Sequence, residues 1–458
     1  MEFTNRPYLP GETISAIATP PGEGGIAVIR VSGTDAFSTI SKIFSGDIFS
    51  YKSHTAHFGT IRNFDGEKVD EVLLLIMKGP RSYTGEDTIE IQCHGGSFIT
   101  RALFQLTLQA GARPALPGEF TFKAFMNGKL DLARAEAVQK LIGARSARAL
   151  HAADQQLSGH LSEKIRSFQK GLFDIAAIFE AWVDFPEEGL EFASFEQVTE
   201  QLETICLEME KLRDTFHEGK RIHDGFTLAL IGAPNAGKSS LMNALLGSER
   251  AIVTPIAGTT RDLLEEDILL GNLHFKLIDT AGIRQTDELV EQEGVRRSYK
   301  TALDADILLC VLDGTQAAPD EILELIKQRD LAMTLLVFNK SDLDGFRQKE
   351  IGLFQSVAIS AKEKVNLTAL KEKIESMLWK NGAPSKEEIV LTNMRHHSAL
   401  SSAIISCRKV IAGLQEGLSA EFVASDMRTT LKELGAIIGV DVTEELLSSI
   451  FSKFCVGK

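Results

Sequence analysis

The pattern of apolar and polar residues divides the chain into three regimes. Residues 1 to about 120 carry short apolar runs, such as "GIAVIRVSG" and "TIEIQCHGG", separated by Gly, Pro and Asp. Short apolar runs between turn residues favour strands. One helical stretch, "SFITRALFQLTLQAGA", lies among them. This part therefore predicts an α+β domain.

From about 121 to 220, apolar residues recur at three- and four-residue spacing, and helix breakers are scarce until Pro186. That period is typical of amphipathic helices. At "GFTLALIGAPNAGKSS" the pattern changes to strand, glycine loop and helix, and the α/β alternation continues to about Trp379. Helical periodicity then returns. Helical segments on both sides of an α/β unit indicate that this unit is inserted into a helical domain.

We therefore predict a multidomain α/β and α+β fold. Its parts are an N-terminal α+β domain at 1–120, a discontinuous all-α domain at 121–220 and 381–458, and an inserted P-loop domain at 221–380. The length of 458 residues suits roughly three domains of about 150 residues each.

Composition also indicates the cellular compartment. No apolar run reaches the roughly 18 residues that span a bilayer, and the N-terminus lacks a basic region followed by an apolar core. Five cysteines without a CxxC pair fit reduced thiols. These observations predict a cytoplasmic protein without a membrane partner.

Net charge is −14, which argues against indiscriminate nucleic-acid binding. Between Lys123 and Lys170, however, nine basic residues face four acidic ones. Two interpretations of this stretch stay open. It is either a surface that meets phosphate or a partner, with Lys140, Arg145 and Arg148 at its centre, or a solvated helix face.

The stretch "GAPNAGKSS" at 232–240 matches the phosphate-loop pattern GxxxxGK[ST] between an apolar strand and a helix. Its glycines let backbone N–H groups curl around phosphates, Lys238 supplies charge to the β- and γ-phosphates, and Ser239 offers a hydroxyl to Mg²⁺. The candidate nucleotide-binding residues of this loop are Asn235, Ala236, Gly237, Lys238, Ser239 and Ser240.

Further motifs follow apolar strands in the order expected of a GTPase. Asp279 can approach the metal through water, Gly282 can sense the γ-phosphate, and Asp342 can accept both the N1 and N2 protons of guanine, which adenine cannot offer. Thr260 is the natural switch threonine for Mg²⁺. The remaining candidates are Thr254, Pro255, Ile256, Ala257, Gly258, Thr259, Thr280, Ala281, Asn339, Lys340, Ser360, Ala361 and Lys362.

These motifs resemble the TrmE-Era-EngA-like GTPases. The segments "ISAIATPPGEGGIAVIRVSG", "SYTGEDTIEIQCHGG", "RPALPGEFTFKAFMNGKLDLARAEAV" and the terminal "CVGK" are similar to one family of them, the MnmE (TrmE) tRNA modification GTPases. The resemblance covers essentially the whole chain. It implies an N-terminal domain like tetrahydrofolate-binding proteins, through which the protein forms a homodimer.

The resemblance also implies a reaction. With the flavoprotein MnmG, in a heterotetramer, the family adds an aminomethyl or carboxymethylaminomethyl group to carbon 5 of the wobble uridine (position 34) in certain tRNAs. The one-carbon unit comes from a folate, 5-formyl- or methylene-tetrahydrofolate, and FAD and NADH belong to the partner. GTP hydrolysis drives dimerisation of the G domains and a conformational change.

The family solves a puzzle at Ile283, which stands where many small GTPases keep a water-positioning glutamine. It places K⁺ beside the phosphates, where the cation offsets charge that grows in the transition state. Asn235, with oxygens of Thr254, Ile256 and Thr259, matches the family's K⁺ ligands. Glu291 matches the carboxylate that orients the attacking water.

Four residues match family positions at the folate: Arg30, Glu90, Lys129 and the terminal Lys458. A carboxylate suits the amino and ring N–H groups of a pterin, and basic side chains suit the carboxylates of the folate tail. Cys455 is either a reactive thiol or a small packing residue.

The alternative function is a GTP-dependent RNA-binding or ribosome-assembly factor of the Era or EngA type. That function predicts a GXXG loop or a second phosphate loop. The last 75 or so residues contain no GXXG, and the chain contains a single GxxxxGKS. The sequence therefore favours the tRNA modification GTPase.

Overall fold

The computed structural model describes residues 9–184, 194–248, 265–279, 304–379, 385 and 388–458. The chain forms two compact units. The first comprises Met1–Ile142, Gln155–Glu210 and Ser398–Lys458, and the second Gly143–Asp154 and Lys211–His397. The boundaries predicted near 120, 220 and 380 stay a prediction.

A six-stranded sheet organises the N-terminal part of the first unit. Its spatial order is β3-β4-β5-β2-β1-β6, and only the β1–β6 pairing is parallel. Its strands are β1 (Ile14–Ile17), β2 (Ile26–Ser32), β3 (Thr55–Arg62), β4 (Lys68–Met77), β5 (Thr88–His94) and β6 (Arg113–Pro114). Alternate residues of β2, Ala27, Ile29 and Val31, are buried, which leaves Arg30 on the opposite face.

The helices follow the predicted regimes. They are α1 (Ala36–Ser41), α2 (Ser97–Gln109), α3 (Glu119–Met126), α4 (Leu132–Gly143), α5 (Ala147–Ser158), α6 (His160–Asp184), α7 (Phe195–Asp214), α8 (Phe216–Asp224), α9 (Lys238–Ser248), α10 (Asp320–Ile326), α11 (Leu367–Leu378), α12 (Met394–Gln415), α13 (Ala420–Ile438) and α14 (Glu444–Phe451). The helical stretch before Pro186 is broken twice, at 144–146 and at Gly159, whose φ of +99° suits glycine.

The C-terminal residues return to the first sheet. Phe451 and Phe454 pack with Phe122 and Leu132 in one apolar cluster. The carbonyl of Cys455 accepts a hydrogen bond from the backbone N–H of Gly118 at 3.3 Å. The last residues of the chain are thus built into the same unit as the N-terminal sheet.

The second unit is built on a six-stranded sheet in the order β12-β11-β10-β7-β9-β8, in which only β8 is antiparallel to its neighbour. The strands are β7 (Phe226–Ile231), β8 (Glu265–Leu270), β9 (Leu273–Asp279), β10 (Ile307–Asp313), β11 (Thr334–Asn339) and β12 (Gln355–Ala358). Strand order reverses at β7, and ligands bind such sheets at the carboxyl ends of the strands near that point.

The two sheets and the helical segments confirm the predicted mixed fold class: an α+β N-terminal part, all-α segments and an α/β unit between them. Across the described ranges, none of the helices is both long and apolar enough to cross a membrane.

The contact at Gly118 yields a stability prediction. Its φ is +69°, and an added Cβ would lie 2.6 Å from the carbonyl oxygen of Phe451. We expect Gly118→Ala to lose about 1–2 kcal/mol of unfolding free energy from left-handed backbone strain and about 1–3 kcal/mol more from displacing the end of α14. The measurement is urea unfolding of the full chain.

Gly128→Ala is the matched control, because Gly128 has a φ of +67° and nothing within 4 Å of an added Cβ. It should show the backbone cost alone. Equal losses in the two variants would contradict the role assigned to the contact with Phe451.

Candidate functional site

The phosphate loop joins β7 to α9, and its backbone conformation and close contacts require particular residues at several positions. Gly232 has a φ of +155°, and a Cβ there would collide with the carbonyl oxygen of Val311. Asn235 is exposed and left-handed, with a φ of +61°, whereas Ala236 is buried. The loop therefore directs the Asn235 side chain to solvent and anchors itself through Ala236.

Lys238 and Ser239 begin the helix that follows the loop. The Lys238 ammonium donates hydrogen bonds to the carbonyl oxygens of Gly232 at 2.8 Å and Ala233 at 3.0 Å. Ser239 and Ser240 are exposed in the first turn of α9. Backbone N–H groups at a helix start and a nearby ammonium together suit a phosphate group.

The buried Asn339 side chain joins the phosphate loop to the loop after β12. Its Nδ2 donates to the carbonyl oxygen of Ala236 at 2.9 Å, and its Oδ1 accepts from the backbone N–H of Ala361 at 3.0 Å. A Cβ on Gly237 would collide with the same Nδ2. The structure thus brings three of the sequence motifs together through one amide.

The residues after Asn339 present a carboxylate. Lys340 is left-handed, with a φ of +67°, and its ammonium donates to Asp313 at 2.7 Å. Asp342 is exposed, and a hydrogen bond with Ser360, helped by the charge of Lys362, lowers the pKa of its carboxyl group. Asp342 is therefore a pure acceptor near neutral pH, as recognition of two N–H groups requires.

Asp279 ends β9 and lies in register with Leu230 of β7, the strand that leads into the phosphate loop. Other candidates fall outside the described residues: Thr254, Pro255, Ile256, Ala257, Gly258, Thr259, Thr260, Thr280, Ala281, Gly282 and Glu291.

A second charged group lies on the face of the first sheet opposite the buried residues of β2, where the Arg30 and Glu90 side chains are only 14% and 16% exposed. Arg30 of β2 stands opposite Glu90 of β5, and its Nε and Nη2 both donate to Glu90 Oε1, at 2.9 and 2.7 Å. Arg30 Nη1 donates to the carbonyl oxygen of Gly457 at 3.2 Å. Burial, and then the charge of Arg30, lower the pKa of the Lys458 ammonium, against the opposing effect of Glu90. Arg30, Glu90 and Lys458 are therefore neighbours.

Two aromatic residues complete this group, and the sequence analysis did not select either of them. The Arg30 guanidinium lies 5.7 Å from the ring centroid of Tyr83 and 5.6 Å from that of Phe120. The Tyr83 hydroxyl hydrogen-bonds with Thr121 at 2.9 Å. Tyr83 lies in the motif "SYTGEDT". An aromatic residue among turn residues is the sequence feature that could have marked it as a candidate site residue.

Lys129 and Cys455 lie on segments that also carry members of the Arg30 group. Lys129 donates to the carbonyl oxygen of Pro80 at 3.1 Å, on the loop that carries Tyr83. Cys455 is exposed, so the structure does not support its interpretation as a packing residue. Its carbonyl accepts from the backbone N–H of Lys458 at 3.4 Å.

The basic stretch between Lys123 and Lys170 is taken up largely inside the chain. Lys123 is fully buried and pairs with Glu86 at 2.6 Å. Arg145 pairs with Asp267, and Arg148 lies 3.9 Å from Glu375. These three basic side chains therefore have partners within the fold, whereas Lys129, Arg166 and Lys170 are exposed, as a solvated helix face predicts.

Comparison with known families identifies relatives of the chain along its whole length. The model of the MnmE helical domain matches residues 132–455, and that of the GTP-binding protein TrmE N-terminus matches residues 13–129. A protein named tRNA modification GTPase MnmE from Protochlamydia amoebophila (strain UWE25) is 57% identical over 458 residues, covering 100% of both chains. One of the same name from Chlamydia trachomatis serovar A is 43% identical over 450 residues, 98% of this chain and 100% of that protein.

Among solved structures, Aquifex aeolicus Era bound to GDP.AlF4- is 25% identical and covers 40% of this chain and 66% of that chain, with a TM-score of 0.26. A score that low carries no argument, so the conclusion depends on the family models and the full-length relatives. Since one family model spans more than half of the sequence and the relatives span nearly all of it, the chain belongs to the MnmE family of tRNA modification GTPases.

Proposed function

We propose that this protein is a potassium-dependent GTPase that modifies the wobble uridine of certain tRNAs together with the flavoprotein MnmG. The modification is a 5-aminomethyl or 5-carboxymethylaminomethyl group. The observation that carries the proposal is the Asn339 amide, which assembles the phosphate loop and the base-recognition motifs in a member of this family.

We propose a role for each of the described residues. Phosphate oxygens replace the loop carbonyls as partners of Lys238, which now donates to Gly232 and Ala233. Asp342 accepts the N1 and N2 protons of guanine, and Ser360, Ala361 and Lys362 close over the base. These contacts fix the γ-phosphate in one orientation, which is the larger part of catalysis in phosphoryl transfer.

Two cations complete the proposed site. Ser239 and Thr260 would hold Mg²⁺, with Asp279 acting through water, since hydroxyl and carboxylate oxygens suit this hard ion. When bound, the ion would supply positive charge to the β- and γ-phosphates. Asn235, Thr254, Ile256 and Thr259 hold K⁺, and the exposed left-handed position of Asn235 leaves its amide oxygen available for a ligand.

Glu291 orients the attacking water, so no glutamine is needed at Ile283. A K⁺ held by Asn235 and the 254–259 oxygens would supply the positive charge that an arginine finger supplies elsewhere, with two G domains dimerising across their switch regions as GTP turnover drives the conformational change.

The group around Arg30 is the proposed folate site. Glu90 accepts from the pterin N–H groups, and Arg30, Lys129 and Lys458 face the folate tail. The bound 5-formyl- or methylene-tetrahydrofolate supplies the one-carbon unit, while FAD and NADH bind the partner. We place the complex in the cytoplasm, as a heterotetramer of two MnmG chains with a homodimer formed through the N-terminal domains.

The deciding experiment compares GTP hydrolysis in KCl and NaCl at equal ionic strength. We expect hydrolysis to be faster in KCl by at least about tenfold, because the cation offsets transition-state charge. Asn235→Ala should lose this stimulation, and Glu291→Gln should lower kcat in KCl with little change in KM.

Asn243→Ala is the matched control, since Asn243 is exposed on the helix after the loop. Equal wild-type rates in the two salts would reject the potassium mechanism.

A second prediction concerns the base. Asp342→Asn exchanges an acceptor for a donor, so GTP affinity should fall by about a hundredfold while xanthosine triphosphate binding improves. Titration calorimetry with both nucleotides measures the exchange. Asp344→Asn, a change at an exposed neighbouring carboxylate, should leave both affinities unchanged. Unaltered GTP affinity in Asp342→Asn would contradict the guanine assignment.

A third prediction concerns the folate. Glu90→Gln keeps the shape of the side chain and removes its charge, so affinity for 5-formyltetrahydrofolate should fall by about tenfold. Glu71→Gln, at an exposed carboxylate on the neighbouring strand β4, is the control. If both variants bind the folate like the wild type, Glu90 does not contact it.

A further inference from the structure

The strand pair β8–β9 connects the two switch segments of the nucleotide site along the chain. Strand β8 begins at Glu265, shortly after the switch threonine Thr260, and β9 ends at Asp279, just before Gly282. The two strands pair antiparallel across the turn at Gly271. The hairpin is therefore the part of the chain that joins the two switch segments in sequence.

One carboxylate in the hairpin has two partners. Asp267 of β8 accepts from His274 Nε2 of β9 at 2.8 Å and pairs with Arg145, near the start of α5, at 2.5 Å. His274 is fully buried, and burial lowers the pKa of its ring, although the hydrogen bond with Asp267 opposes this effect. A neutral imidazole that donates from Nε2 fixes the Asp267 carboxylate in one orientation, toward Arg145.

Arg148, in the first turn of α5, reaches the element next to the hairpin turn. The Arg148 guanidinium lies 4.9 Å from the ring centroid of Trp379 and 3.9 Å from Glu375 of α11. Glu375 in turn lies beside the turn, since a Cβ on Gly271 would be 3.1 Å from its carboxylate. Arg145, just before α5, thus contacts the edge strand β8, and Arg148 of α5 reaches the turn through α11.

The opposite end of the same helix is held differently. The boundary between the two compact units falls inside α5, between 154 and 155. In the first unit, Gln156 Nε2 donates to the carbonyl oxygen of Ala133 at 2.7 Å, and Arg134 Nε donates to that of Leu157 at 2.8 Å. Residues at the start of α5 therefore have their partners in the second unit, and residues at its end have theirs on helix α4.

We propose that Arg145 and Asp267 are positioning residues that couple the β8–β9 hairpin to helix α5, so that the nucleotide state changes the local stability of this helix. The inference rests on the proposed GTPase function and adds its route of regulation. An α-helix is a stiff element, and an ion pair held by a buried histidine gives the hairpin a defined contact with it.

The test uses hydrogen exchange on the full-length protein with GDP and with a non-hydrolysable GTP analogue. We expect the backbone amides of residues 147–158 to exchange at different rates in the two nucleotide states. Arg145→Ala and Asp267→Asn should each abolish that difference while GTP affinity stays within about threefold of the wild type, because the described contacts of both residues lie away from the phosphate loop and the base-recognition loop.

A double-mutant cycle separates coupling from general destabilisation. The difference in exchange between the two nucleotide states should be the same in the double variant as in either single variant, because each change removes the same interaction. Arg408→Ala is the control: it removes the ion pair between Arg408 and Glu210, which joins α12 to α7 away from the hairpin, and should preserve the difference.

The proposal is overturned if the wild type shows no nucleotide-dependent exchange in 147–158, or if the difference survives in Arg145→Ala and Asp267→Asn. Failure of the proposed function is distinguishable from either result, because it appears in the wild type as absent GTP hydrolysis. Mass spectrometry of wobble nucleosides from cells that carry each variant provides the second readout. Arg145→Ala should lower modification several-fold, and Arg408→Ala should not.

Discussion

The nucleotide unit depends on one constraint: the buried Asn339 amide must satisfy two loops at once. Its Nδ2 and Oδ1 bond to Ala236 and Ala361, so the phosphate loop and the base-recognition loop share a single anchor. A buried amide without these partners costs several kcal/mol, which makes the two loops mutually dependent. The same constraint requires glycine at position 237, because this amide fills the space that a Cβ would occupy there.

In the first unit, one charged side chain, Arg30, is likewise held by several partners. Arg30 is held by the Glu90 carboxylate, by the carbonyl of Gly457 and by two aromatic rings. The contact with Gly457 means that the end of the chain helps to define the group around a β-strand near its beginning. A truncation of the last residues thus changes the surroundings of Arg30 as well as removing Lys458.

Local elements could be predicted from the sequence, and distant pairings could not. The run "FTLALI" matches β7 residue for residue, and the helix at "SFITRALFQLTLQAGA" appears as α2. The guanine motifs lie at strand ends, as their order indicates. Apolar periodicity, however, is insensitive to a break at a single glycine such as Gly159.

The partners of charged residues are set by tertiary packing. Arg145 pairs with a residue 122 positions away, and Arg30 contacts one 427 positions away. Composition shows that basic residues accumulate between Lys123 and Lys170, but it cannot show that the fold already neutralises them. The potassium ligands and Glu291 stay predictions, because they lie outside the described residues or require a bound ion.

Charged side chains at both candidate sites have partners within the protein, and this shapes ligand recognition. Lys238 donates to two loop carbonyls, Lys340 to Asp313, and Arg30 to Glu90. A ligand must therefore form stronger hydrogen bonds with these groups than their present carbonyl or carboxylate partners do, or it must bind beside them. Phosphate oxygens satisfy that condition at Lys238, because charge-assisted hydrogen bonds are about twice as strong as neutral ones. At Arg30 the existing partner is already a carboxylate, so a ligand gains less by replacing it than by bonding to the remaining oxygen of Glu90. Selectivity for an N–H-rich ring over a simple anion follows from this difference.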